Sequence, residues 1–120
     1  MNTAEKVQEI IRYSQGTEQY HRYSSILDYP IITDGVKAVA EVAGAYWLLD
    51  VIASYQHNKK LDKAFQVWKL VVNLTECSGV VRGYNDTKRI ITQKIPFTDF
   101  PLDKFTLYLI DGIVLLPSEY

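Results

Sequence analysis

The spacing of apolar residues changes once along this 120-residue chain, and that change limits the folds open to it. Up to about Tyr55 apolar side chains recur at helical intervals; from Phe65 onward they alternate. Helices followed by strands, without βαβ alternation, predict an α+β domain. Its N-terminal helices, including a long central one over about 34–56, pack on one face of an antiparallel sheet of about five strands. The length is that of a single domain, 1–120.

Local signals mark the elements. Thr3 to Tyr13 reads as a helix capped by Asn2, with Glu5 placed as in a capping box and Val7, Ile10 and Ile11 on one stripe. A short strand is expected near Tyr20–Tyr23. The central helix starts at Thr33 or Asp34 and runs through Gly44, where glycine can bend it. Phe65 to Leu74 reads as a strand with Trp68, Leu70, Val72 and Leu74 on one face and Phe65, Val67, Lys69 and Val71 on the other. Val80–Tyr84 and Arg89–Ile95 flank a turn and form a hairpin. Asp111-Gly112 separates Phe105–Ile110 from Ile113–Leu116, the signature of a type I′ turn.

Composition excludes several classes. A net charge of −1 supplies no global field toward nucleic acid or anionic membranes. The single cysteine, Cys77, allows no intramolecular disulfide and fits a reducing compartment. No signal peptide opens the sequence and no apolar run is long enough to span a membrane, so the expected location is cytoplasmic. Cys77, His21 and His57 lack metal-ligand spacing, and no phosphate-cradling glycine loop is present; neither a metal nor a cofactor is expected.

Several strings together carry a resemblance: Gly16-Thr17 with Tyr20, Thr33-Asp34-Gly35-Val36, Gly44-Ala45-Tyr46-Trp47-Leu48-Leu49-Asp50 with Ile52-Ala53-Ser54, Trp68-Lys69-Leu70, Thr98-Asp99-Phe100-Pro101-Leu102, and Leu115-Leu116-Pro117-Ser118-Glu119-Tyr120. In this order they resemble a domain-of-unknown-function family of small bacterial proteins, from Gly16 to Tyr120. The resemblance implies one domain and a bacterial origin. It carries no activity and no catalytic residue.

Missing catalytic motifs and nine tyrosines favour a non-enzymatic intracellular accessory or interaction protein. Its surface is expected around Tyr13, Tyr20, Tyr23 and Tyr29, serving a protein partner or self-association. One alternative is a ligand or enzymatic pocket at Asp50, Ser54 and Trp47, because Asp50 projects at about the angle of Val39 and Trp47, inside the apolar stripe; the favoured reading of that carboxylate is structural, satisfying Tyr, Trp or backbone donors in the core. A triad of Ser54 with His21 or His57 and Asp50 or Asp99 lacks any nucleophile elbow. The other alternative is a weak nucleic-acid contact through the basic hairpin 80–95, with Arg82, Lys88, Arg89, Lys94 and Tyr84; the near-neutral total argues against it.

The hairpin reading generates a direct test. Gly112→Val places a β-branched residue where positive φ is required, and is expected to cost roughly 1–3 kcal/mol. An unchanged melting temperature would exclude a type I′ turn here.

Overall fold

The computed structural model describes residues 2–14, 16, 19–22 and 30–120. Helix α1 spans Thr3–Tyr13, and its cap is as expected: the Asn2 side chain accepts from the Glu5 amide at 2.8 Å. Val7 is fully buried, with Ile10 and Ile11 packed beside it. Strand β1, Tyr20–Arg22, pairs antiparallel with β2, Ile31–Thr33.

The long central helix is two helices, α2 (Asp34–Ala43) and α3 (Tyr46–Ser54). Gly44 takes a left-handed conformation (φ 62°), and the amides of Gly44 and Ala45 both donate to the Ala40 carbonyl. That pattern terminates a helix rather than bending it. Restarting at Tyr46 resets the phase, so α3 buries Leu48, Leu49 and Ile52 and turns Asp50 and Ser54 outward.

The sheet is β3 (Phe65–Asn73), β4 (Ser78–Asn85), β5 (Lys88–Ile95), β6 (Lys104–Ile110) and β7 (Ile113–Leu115), extended by β1 and β2. Its order is β1-β2-β7-β6-β3-β4-β5, which makes seven strands rather than about five. It is mixed rather than wholly antiparallel, because β2 runs parallel to β7 with Ile31 opposite Ile113 and Ile32 opposite Val114. The remaining pairings are antiparallel. Asp111 (φ 48°) and Gly112 (φ 85°) both take positive φ, as a type I′ turn requires. The β4–β5 connection is a two-residue turn at Asp86-Thr87.

One face of the sheet holds the core. Trp68, Leu70, Val81, Leu107 and Leu109 are buried there against Val36, Val39, Leu48 and Leu49 from the helices. Leu74, expected on this face, lies beyond the end of β3 and is exposed. Within the core sits an amide network. The Gln66 side-chain oxygen accepts from Gln56 Nε2 (3.0 Å) and Trp68 Nε1 (2.9 Å), while its nitrogen donates to Gln56 Oε1 (2.9 Å) and the Asp62 carbonyl (3.0 Å). A hydrogen bond thus fixes the Trp68 ring in place beneath β4.

Gly83 makes room for that ring: a Cβ there would stand 2.7 Å from the indole. Because Trp68 is anchored and 2% exposed, it has little freedom to retreat. Gly83→Ala is expected to destabilise by about 1–3 kcal/mol, the scale of core overpacking. A urea midpoint equal to that of the parent would show that the indole can shift.

Candidate functional site

The opposite face of the sheet is not packed by the helical layer, and the register shows what it presents. One rung places Thr106, Lys69, Arg82 and Thr92 side by side across β6, β3, β4 and β5; the next places Lys104, Val71, Val80 and Lys94. Strands β3 to β6 carry six cations, Lys69, Arg82, Lys88, Arg89, Lys94 and Lys104, and no carboxylate; Lys88, opposite Asn85, points to the other face. The two ion pairs seen among the described residues, His21–Asp34 at 2.6 Å and Lys37–Glu41 at 3.9 Å, involve none of these six. The Nε of Arg82 is buried without a hydrogen-bond partner. A buried donor left unmet costs free energy that an incoming acceptor would recover.

Aromatic side chains share this face. Tyr108, Val67 and Tyr84 lie in one rung on neighbouring strands. They line a hollow of about 560 Å³ together with Lys69, Thr106 and Asp86. The Lys69 ammonium stands 5.1 Å from the centre of the Tyr84 ring. Phe65 and Tyr120 flank Tyr108, with ring centres 5.5 and 5.7 Å from it. A second hollow, about 300 Å³, continues toward β1 between Tyr20, Thr33, Leu115 and Tyr120.

Residues singled out in the sequence fall in three places. Asp50 and Ser54 are exposed on α3, and the Ser54 hydroxyl donates to the Val51 carbonyl at 2.6 Å. Trp47 is half-buried. The expectation that Asp50 lies in the core is thereby overturned, and its cause is the helix break at Gly44. His21 pairs with Asp34, while His57 is exposed on the turn after α3. Tyr13 and Tyr20 are 67% and 59% exposed and so are accessible; Tyr23 and Tyr29 lie outside the described residues. The basic hairpin exists, and β3 and β6 enlarge it with Lys69 and Lys104. The signal available in the sequence was the absence of acids from the strands; assembling it into a surface needed the strand order.

Glu119 is a further polar centre that the sequence reading passed over. Its carboxylate accepts from Thr33 Oγ1 (2.6 Å), the Leu116 amide (2.9 Å) and the Gly35 amide (3.2 Å), joining residues 116–119 to the first turn of α2. Among the described residues no cluster of histidine, cysteine or carboxylate side chains is arranged to hold a metal, and no helix is long and apolar enough to cross a membrane.

Exposure of Asp50 sets an expectation for stability. With no buried donors to orphan, Asp50→Leu is expected to change the urea unfolding free energy by no more than about 0.5 kcal/mol. A loss of several kcal/mol would return this carboxylate to the core.

Comparison with known proteins agrees with the resemblance in the sequence. No curated protein and no solved structure matches the chain. A family model does, over residues 5–120, described as a family of unknown function (DUF6876). A match over nearly the whole chain is decisive: the chain belongs to the DUF6876 family.

Proposed function

We propose that this protein is a binding module rather than an enzyme, and that the uncovered face of its sheet receives an anionic partner. The observation that carries the reading is the segregation of charge: four strands contribute cations and no acid to one side. Lys69 and Arg82 stand next to each other in a rung, where like charges repel by a few tenths of a kcal/mol or more. Such a pair is stabilised when an anion lies across it. Tyr84, Tyr108 and Tyr120 supply apolar area with polar tips, as interaction surfaces commonly do. The exposed Tyr13, at the end of α1, and Tyr20, on β1, are separate places for self-association or a protein partner.

No catalytic assembly competes with this reading among the described residues. Ser54, His21 and His57 each have local surroundings of their own, and Asp50 stands in solvent. A location inside the cell remains the accompanying expectation from the single cysteine.

Retention on immobilised heparin, a generic polyanion, tests the reading. The parent chain is expected to bind and to elute with salt, since contacts between exposed charges are screened. Lys69→Glu with Arg82→Glu is expected to abolish retention. Lys6→Glu with Lys37→Glu, an equal charge change on the helices, is expected to leave most of it. Equal losses from both pairs, with folding confirmed by circular dichroism, would overturn the assignment of the face.

A further inference from the structure

We infer that the anionic partner is a single-stranded nucleic acid, held with one base in the slot between Tyr84 and Tyr108. The inference rests on the binding-module reading above and adds the chemistry of the occupant. Tyr84 and Tyr108 are separated by one strand, with Val67 between them as the floor. Side chains stand roughly perpendicular to a sheet, and strands lie about 4.8 Å apart, so the two tyrosines rise about 10 Å from each other. Stacked ring centres prefer separations of about 4.5–7 Å. One planar ring therefore fits between the pair, close to both walls.

The surroundings match a nucleotide better than other anions. The cations form the adjacent rungs, Lys69 with Arg82 and then Lys94 with Lys104, on one side of the slot. Asp86 and Thr87 line the hollow from the β4–β5 turn. A carboxylate there accepts from an exocyclic amino group and repels phosphate. The base is thus directed toward the turn and the backbone toward the cations. A rotation of the Arg82 side chain would bring its buried, unpartnered Nε to a phosphate oxygen. Lys69, now over the Tyr84 ring, has a flexible stem and can move to a phosphate as the base takes its place. An acidic peptide would meet the cations but has no flat ring to put between two tyrosines. A duplex keeps its base faces stacked, and among the described residues no α-helix projects from this face to enter a groove.

Fluorescence anisotropy separates the alternatives, with a labelled 12-nucleotide oligo(dC) or oligo(dA), whose bases carry the exocyclic amine, a mixed-sequence duplex of the same length, and a labelled oligoglutamate peptide. The single strands are expected to bind at least tenfold more tightly than the duplex or the peptide. Their log–log salt slope should be about −2 to −3, as for roughly four phosphates on a single strand. Tyr108→Ala is expected to weaken binding about tenfold or more with the slope unchanged, whereas Lys69→Ala with Arg82→Ala should flatten the slope. Tyr108→Phe keeps the ring and should keep the affinity. Val67→Tyr raises the floor of the slot at a position suited to a strand and should reproduce the loss if Tyr108→Ala folds poorly. Equal binding of single strand and duplex, or indifference to both slot variants, would overturn the inference. Binding of heparin and oligoglutamate without the oligonucleotides would overturn it too, yet leave the basic face as a docking surface for an acidic protein. Failure of every polyanion would remove both.

Discussion

Gln66 is the side chain on which the arrangement of this molecule turns. It is fully buried on β3, and its amide meets partners from the end of the helical layer, from the loop before β3 and from Trp68 on its own strand. Gln56, its reciprocal partner, also donates to the Ile52 carbonyl at 3.0 Å, so the network reaches the last turn of α3. Each amide group left unmet in such a place costs about 1–3 kcal/mol, which gives the fold a strong preference for one seating of helix on sheet. With Trp68 held by the same network, the indole fills the space under Gly83 and packs 6.1 Å from Tyr55. The helical layer secured to one face leaves the other face of the broad centre, β6-β3-β4-β5, uncovered apart from Tyr120 against Tyr108.

That asymmetry explains how a chain of net charge −1 can carry a positive surface. The acids among the described residues lie in helices, turns and the C-terminal segment: Glu5, Glu9, Asp34, Glu41 and Asp50, then Asp62, Glu76, Asp86, Asp99, Asp103, Asp111 and Glu119. Strands β3 to β6 carry cations alone, Lys69, Arg82, Lys88, Arg89, Lys94 and Lys104. A sum over the chain cancels the two populations; the surface does not. At physiological ionic strength fields are screened over about 8 Å, so a partner on the sheet face responds mainly to the nearby cations.

Much of the fold was legible, and the misses have specific causes. Asn2 and the 3.6-residue stripe identified α1, Asp111-Gly112 identified the last hairpin, and alternation identified β3 and its buried face. Gly44 was noticed but its effect was not: a glycine bending a helix and a glycine ending one are the same letter, and only φ separates them. Every inference about the angular position of Asp50 depended on that difference. Strand β2 is three residues long and is recruited by β7 through distant parallel pairing, so no local pattern announces it. The candidate surface was half legible. Arg82, Lys94 and Tyr84 are neighbours along the chain, but Lys69, Lys104 and Tyr108 join them only through the order β6-β3-β4-β5. Periodicity reveals the faces of a strand and is silent about which strands lie beside it.

The pairing of β2 with β7 has a kinetic meaning. Ile31 and Ile32 meet Ile113 and Val114 across most of the chain, and Glu119 caps the helix that follows β2. Contacts of such high sequence separation carry the loop-closure cost of everything between them and tend to form late. The hairpins of β3 to β7 can assemble through short turns on their own timescale. The β1–β2 edge and the first turn of α2 must wait for the strand that precedes Glu119. Ile32 and Val36 therefore stay without their final cover until β7 and Glu119 have docked, so the second helix precedes the sheet in the chain yet is secured after most of it.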